Sequence, residues 1–277
     1  MITIKHPVDL PDTYPLDRIG PLKDLLFFDI ETTGFSGDTS QLYLIGCTYY
    51  KDNTWNLIQW FADTRAAEED LLHHFFKFLK QYKTLVHFNG DGFDIPFLLK
   101  RCKHFNLSYS FDNVASFDIY KKVKPYRNLL GLDSLKQKSI EQFLGISRTD
   151  KYNGGQLIEV YKDYLMTHEK ELYDLLILHN EDDLKGMPSI LPILNYPDLL
   201  EHAFTLKEQQ IVDESLADGQ TRHLLKLICQ SPYSIPVPVK AAMPPARCRI
   251  EQDQVIFFVE LTEGTLKHFY PDYKDYY

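Results

Sequence analysis

Five residues of this 277-residue chain have the types and spacing to do chemistry. Asp29 and Glu31 stand two apart at the end of the apolar run LLFFDI (25–30). On a strand, both carboxylates therefore project from one face. That end of a buried strand is where open α/β sheets place their ligands. Asp94 follows an Asn89-Gly90 break and precedes Pro96, at a helix start. His179 and Asp183 are four apart, and they continue a helical stripe of Leu172, Leu175 and Leu176 that is expected to face the sheet. Glu181 and Asp182 fall off that stripe and read as solvated charges. Each piece alone also fits something plainer: acids ending a strand in solvent, a helix cap at Asp94, or a His–Asp hydrogen bond within one helix. Together, Asp29, Glu31, Asp94 and Asp183 would place four negative charges at one spot. At about 4 Å and an effective dielectric near 20, each pair repels by about 4 kcal/mol. All-oxygen donors suit Mg²⁺ or Mn²⁺ better than zinc. Two such ions cancel four carboxylates and stabilise both oxygens of an in-line phosphoryl displacement. Convergence of the acids, which spacing alone does not establish, would make the chemistry phosphodiester cleavage.

The elements that must position these residues follow from periodicity. LLFFDI is a short buried strand ending at Thr-Thr-Gly, and QLYLIGCTYY (41–50) with TWNLIQWFA (54–62) reads as a hairpin. Residues 65–81 have helical spacing, with Leu71, Leu72, Phe75, Phe76 and Leu79 near one face. TLVHF (84–88) is the next strand, a helix follows with Pro96 in its first turn, and ASFDIY (115–120) is a fifth strand. Helical patterns then cover 132–143, 155–166 and 168–186. The order implies an α/β fold with a mixed five-stranded sheet flanked by helices. Residues 1–24, with four prolines, read as an irregular arm, and 25–196 as the main domain. Residues 197–277 read as an appendage without assigned role: helical over 198–230, a proline-rich linker (232–245), a strand pair around 247–261 and an aromatic ending, HFYPDYKDYY.

Composition excludes several classes. Apolar residues are 44% and charged residues 25%, the balance of a globular protein rather than a disordered or fibrous chain. No stretch is apolar for long enough to span a membrane, and the N-terminus lacks the pattern of a secretory leader. Four scattered cysteines form no CxxC pair and read as reduced thiols of a cytoplasmic protein. The net charge of −9 argues against a polyanion partner, yet residues 100–138 carry +6, leaving −15 elsewhere. This asymmetry fits nucleic acid as well as a solvated lysine face.

Three segments carry a family resemblance. FFDIETTG (27–34), HFNGDGFDIPFLL (87–99) and HNEDDL (179–184) resemble, in order, the three motifs of the DEDD 3′→5′ exonucleases, whose fold is ribonuclease H-like. The stretch 132–165 is similar to the connector of the YprB-like branch. The resemblance covers about 25–195. It implies metal ligands at Asp29, Glu31, Asp94 and Asp183, two Mg²⁺ or Mn²⁺ ions, and a single strand of DNA or RNA as substrate. It departs at motif three, where His179 occupies the place of the tyrosine in Tyr-x-x-x-Asp. Histidine is a fitting general base for the attacking water. The resemblance also sets Thr32, Thr33, Gly34 and Asn89 beside the terminal nucleotide. Phe35 and Phe93 could stack on a base or simply pack. Lys121, Lys122, Lys124 and Arg127, in KKVKPYR, could track phosphates. Asp118 is one more strand-end acid that the set does not require. Two rivals stand beside this reading. The first is a haloacid-dehalogenase-type phosphatase, whose Asp-x-Asp start FFDIETT superficially resembles. The second is a ribonuclease H-like module that binds nucleic acid without turnover.

Overall fold

A computed structural model of the chain describes residues 1–146 and 154–265. The aromatic ending at 268–277 and the middle of the connector lie outside them. The chain divides into two compact units, Met1–Asp198 and Leu199–Tyr277.

The first unit is built on strands β1 (Ile2–Pro7), β2 (Leu25–Thr32), β3 (Leu42–Lys51), β4 (Thr54–Phe61), β5 (Thr84–His87) and β6 (Ala115–Asp118). They form one mixed sheet in the order β1-β4-β3-β2-β5-β6. β1 to β4, β4 to β3 and β3 to β2 pair antiparallel, while β5 lies parallel to both β2 and β6. The sheet thus has six strands where five were expected. Residues 2–7 are not an irregular arm, because ITIKHP alternates half-buried and exposed residues along an edge strand. Its one proline is the last residue of that strand, where an edge tolerates it.

β2 is buried on both faces from Leu25 to Phe28, the signature of an interior strand. The β3–β4 hairpin turns at Asp52 and Asn53, both with φ near +60° (54° and 61°), as a two-residue primed turn requires. Helix α1 (Glu68–Leu79) buries the five apolar residues its spacing marked, and Phe75 stacks on Phe28 with ring centroids 5.6 Å apart. Helix α2 (Asp94–His104) follows β5, α3 (Ile119–Val123) follows β6, and α4 (Gln137–Phe143), α5 (Gly154–Thr167) and α6 (Lys170–Ile190) complete the unit. α6 packs on β2, β3 and β4 through Asn180, which bonds Asp29. Phe28 and Asp29 are adjacent on one strand, so α1 and α6 cover opposite faces and the unit has three layers.

A buried ion pair ties this half together. Arg101 of α2 grips Glu68 of α1 through Nε (2.6 Å) and Nη2 (2.8 Å), and its Nη1 donates to the Gly37 carbonyl (3.1 Å). Glu68 also accepts from the Leu42 N–H at 2.8 Å. Arg101 therefore belongs to the interior and not to a basic surface.

The second unit departs from expectation. Helix α7 (Asn195–Glu201) leads into it, and β7 (Thr205–Ser215) and β8 (Thr221–Gln230) occupy the region expected to be helical. β7 is a sheet edge and almost wholly exposed, so its residues KEQQ are polar helix formers; pairing with β8 overrides that local preference. The proline-rich stretch holds β9 (Val239–Met243), and β10 (Ala246–Glu251) with β11 (Gln254–Glu260) is the expected strand pair. The five strands form one antiparallel sheet, β7-β8-β11-β10-β9. The four cysteines form no disulfide, and among the described residues no helix is long and apolar enough to cross a membrane.

Removing one partner of a buried ion pair leaves an uncompensated charge. Glu68→Ala is expected to lower unfolding stability by about 3–5 kcal/mol. Urea denaturation checks this, and a loss under about 1 kcal/mol would show that Arg101 finds other acceptors.

Candidate active site

Asp29 and Glu31 project from the last turn of the pleat in β2, on the face that α6 covers. The pairing slips between Glu31 and Thr32, a bulge that ends the ladder just beyond the two acids. α6 brings the other side of the site. Its buried line runs through Leu176, Asn180, Leu184 and Met187, with His179 and Asp183 on the flank of that line rather than along it. His179 Nε2 lies 3.4 Å from Asp183 Oδ2 and 3.8 Å from Glu31 Oε1. These three side chains offer one donor atom each within 4.8 Å of one another, a spacing that a single cation can bridge. Glu181 is not a free solvated charge, since it pairs with Lys185 and lies 3.5 Å from His6 Nε2.

Asp94 opens α2 and is only 6% exposed. Its carboxylate accepts from its own N–H and from the Ile30 N–H, which lies between Asp29 and Glu31. Burial, with a smaller push from Asp118, nonetheless raises its pKa to about 7. Asp29 is held well above the carboxylate range, first by burial and then by the charges of Glu31, Asp183 and Asp94; the bond from Asn180 opposes this only in part. Asp29 thus feels the field of the other three acids. An anionic cluster of this kind, half of it desolvated, fits hard divalent cations by both charge and donor type.

The other sequence-marked residues have varied surroundings. Thr32 Oγ1 donates to the Gly34 carbonyl (2.8 Å) and Thr33 Oγ1 accepts from the Gln41 N–H (2.9 Å), so both hydroxyls close the loop that follows β2. Gly34 faces Ser40, whose Oγ would lie 2.5 Å from an added Cβ. Phe35 is 92% exposed and meets Phe93 edge-on at 6.2 Å. Phe93 also packs on Phe97. Lys121 pairs with Asp91 (2.6 Å), Lys122 lies over Phe117 and Lys124 over Tyr120. Arg127 donates to the carbonyls of Leu132 and Asp133. Asp118 is structural: its oxygens accept from the N–H groups of Asn89, Asp91 and Lys121 and so pin the loop before α2.

Several residues beside the acids carried no mark in the sequence reading. An open cleft of about 550 Å³ is lined by the marked Asn89 and Arg127 and by the unmarked Phe88, Tyr120, Lys136 and Gln137, among others. Gln137 joins it to the acidic cluster, because its Nε2 lies 3.5 Å from the Asp183 carbonyl. Asn180 is fully buried beside Asp29, and Gly46 of β3 makes its room. The signal for this was present: an isolated glycine within a strand marks a close approach of backbone or side chain.

The sign of the Asp94 shift sets a pH dependence. A carboxyl whose pKa is raised on folding contributes stability below its unfolded value, near 3.8, and loses it as pH rises through about 7. Without added metal, Asp94→Asn is therefore expected to gain thermal stability over the parent protein progressively from about pH 4 to about pH 7, and to level off above that. Thermal melts of both proteins in EDTA check this; a constant difference across that range would contradict it.

Residues 26–195, more than half of the chain, match the RNase_H_2 family model of the RNase H superfamily. The fold is similar to that of a family B DNA polymerase from the archaeon Pyrobaculum calidifontis, at 16% identity and a TM-score of 0.50, over 63% of this chain and 25% of that one. Weaker likenesses are to the zinc-bound complex of E. coli exonuclease I with single-stranded DNA (13% identity, TM-score 0.36, 75% of this chain and 54% of that) and to another exonuclease I structure (13%, 0.37, 75% and 55%). The chain spans between a quarter and just over half of the length of these structures. Comparison with curated proteins returned no match. By its matched sequence and its mixed sheet flanked by helices, the chain belongs to the RNase_H_2 family of the RNase H superfamily.

Proposed function

We propose that the domain at 25–196 is a metal-dependent 3′→5′ exonuclease that hydrolyses phosphodiester bonds of single-stranded nucleic acid. The observation that carries this reading is the gathering of Asp29, Glu31, Asp94 and Asp183 around one strand end, with Asp29 raised in pKa by burial and by the other three acids and Asp94 raised chiefly by burial. A folded protein that keeps such a cluster has a use for the cations that complete it.

In this reading the four carboxylates hold two Mg²⁺ or Mn²⁺ ions. When bound, the ions neutralise the acids, draw charge from the scissile phosphate and steady the entering and leaving oxygens. The chain's own residues do the rest. His179, within 3.4 Å of Asp183 and 3.8 Å of Glu31, orients the attacking water and takes its proton at Nε2. The cleft beside Asp183 receives the strand: Tyr120 and Phe88 offer ring faces to bases, and Lys124 and Lys136 offer charge to phosphates. In this reading Phe35, exposed beyond β2, meets the terminal base. Arg127 shapes the cleft wall through its bonds to the Leu132 and Asp133 carbonyls, while Lys121 and Lys122 are engaged by Asp91 and Phe117. The leaving group is the 3′ oxygen of the shortened strand, and the product released is a nucleoside 5′-monophosphate.

Single-turnover cleavage of a labelled oligonucleotide tests the roles. Asp183→Asn is expected to abolish turnover with an unchanged melting profile, and an active variant would remove Asp183 from the site. His179→Ala is expected to slow cleavage about 10²–10⁴-fold if it is the general base; a change below about fivefold would reduce it to packing. Oligonucleotide and Mn²⁺ binding without cleavage by the wild-type chain would favour a binding module instead.

A further inference from the structure

A buried amide pair, Asn180 and Gln59, has no part in the activity so far described. Asp29, Gly46 and Gln59 are register partners on β2, β3 and β4, so they form one row across the sheet and face the same way. The middle position has no side chain, and Asn180 of α6 fills the space: a Cβ on Gly46 would lie 1.9 Å from its Oδ1. From this slot Asn180 Nδ2 donates to Asp29 Oδ2 at 2.9 Å, and its Oδ1 accepts from Gln59 Nε2 at 3.0 Å. The same Gln59 nitrogen donates to the Ile177 carbonyl at 3.0 Å.

The chain of bonds has a direction. A backbone carbonyl only accepts, so Ile177 sets which end of the Gln59 amide faces α6. Gln59 in turn sets the Asn180 amide, which must present its NH₂ to Asp29. Gln59 is fully buried, and its Oε1 has no hydrogen-bond partner among the described residues. An orphaned buried acceptor is costly, and an aliphatic side chain would fill that place in the core without the cost.

We propose that Asn180, held in one orientation by Gln59, is a positioning residue that fixes the Asp29 carboxylate for cation binding. One carboxylate oxygen is engaged by the amide and the other is left for the ion. Partners of this kind behind a metal ligand typically change metal affinity or activity by about 10–100-fold when removed. The inference rests on the metal-dependent reading above and goes beyond it, because that reading gives neither amide a role.

The test is calorimetric titration of the full chain with Mn²⁺ alone, which needs no turnover. Asn180→Leu keeps the volume and removes the donor, and it is expected to weaken Mn²⁺ binding about 10–100-fold with a cooperative melt retained. Gln59→Leu releases the Asn180 amide and is expected to weaken binding in the same direction by a smaller factor. The Mn²⁺ concentration for half-maximal cleavage should rise by matching factors. Wild-type affinity in both folded variants would overturn the inference, and if Asn180→Leu does not fold, Gln59→Leu decides alone. A wild-type chain that binds no Mn²⁺ would overturn the metal-dependent reading and this inference with it.

Discussion

Four carboxylates gathered near one strand end, with Asp94 buried and Asp29 half-buried, form the constraint around which the first unit is organised. Water would disperse such charge, but β2, α2 and α6 limit its access to the cluster. The backbone N–H of Ile30 and the amide of Asn180 offset only a fraction of the repulsion, and the pKa values of Asp29 and Asp94 stay high as a result. An arrangement that resists folding in this way persists because the remainder of the sheet supports it. The support is visible in the apolar interior of β2, in the α1 helix on the opposite face and in the Arg101–Glu68 pair that anchors the loop after β2. Function in this account is the counterpart of that strain, since divalent cations relieve it and thereby become bound.

The approach of α6 to the sheet decides whether the acids can meet. A helix normally stands off a sheet by the depth of two side-chain layers. At Gly46 one layer is missing, and Asn180 descends into the gap. That contact sets the rotation of α6, which places His179 and Asp183 on its flank facing Glu31. The same descent brings Asp183 beside the Gln137 cleft, so the acidic cluster and the cleft next to it share one structural cause.

Much of this was legible in residue order, and the failures have physical reasons. Asp29 and Glu31 could be read because strand geometry puts alternate residues on one face. His179 and Asp183 could be paired because helix geometry stacks residues four apart. Asn180 could not, because a polar residue on the buried line looks like a break in the stripe until Gly46 is seen opposite it. β1 was hidden by the prolines that follow it, which say nothing about ITIKH itself. β7 was hidden by polar residues that an exposed edge strand accepts as readily as a helix does. The KKVKPYR segment showed its charge but not its partners, Asp91 and the carbonyls of Leu132 and Asp133, which come from other turns of the chain.

The most direct test of the central claim is cleavage of 5′-labelled single-stranded DNA and RNA oligonucleotides in Mn²⁺, Mg²⁺ or EDTA, with the Asp29→Ala protein as control. The account predicts a ladder that shortens from the 3′ end, requires the divalent cation and is absent with Asp29→Ala. Cleavage that persists in EDTA or in the Asp29→Ala protein, or none with either metal, would contradict it.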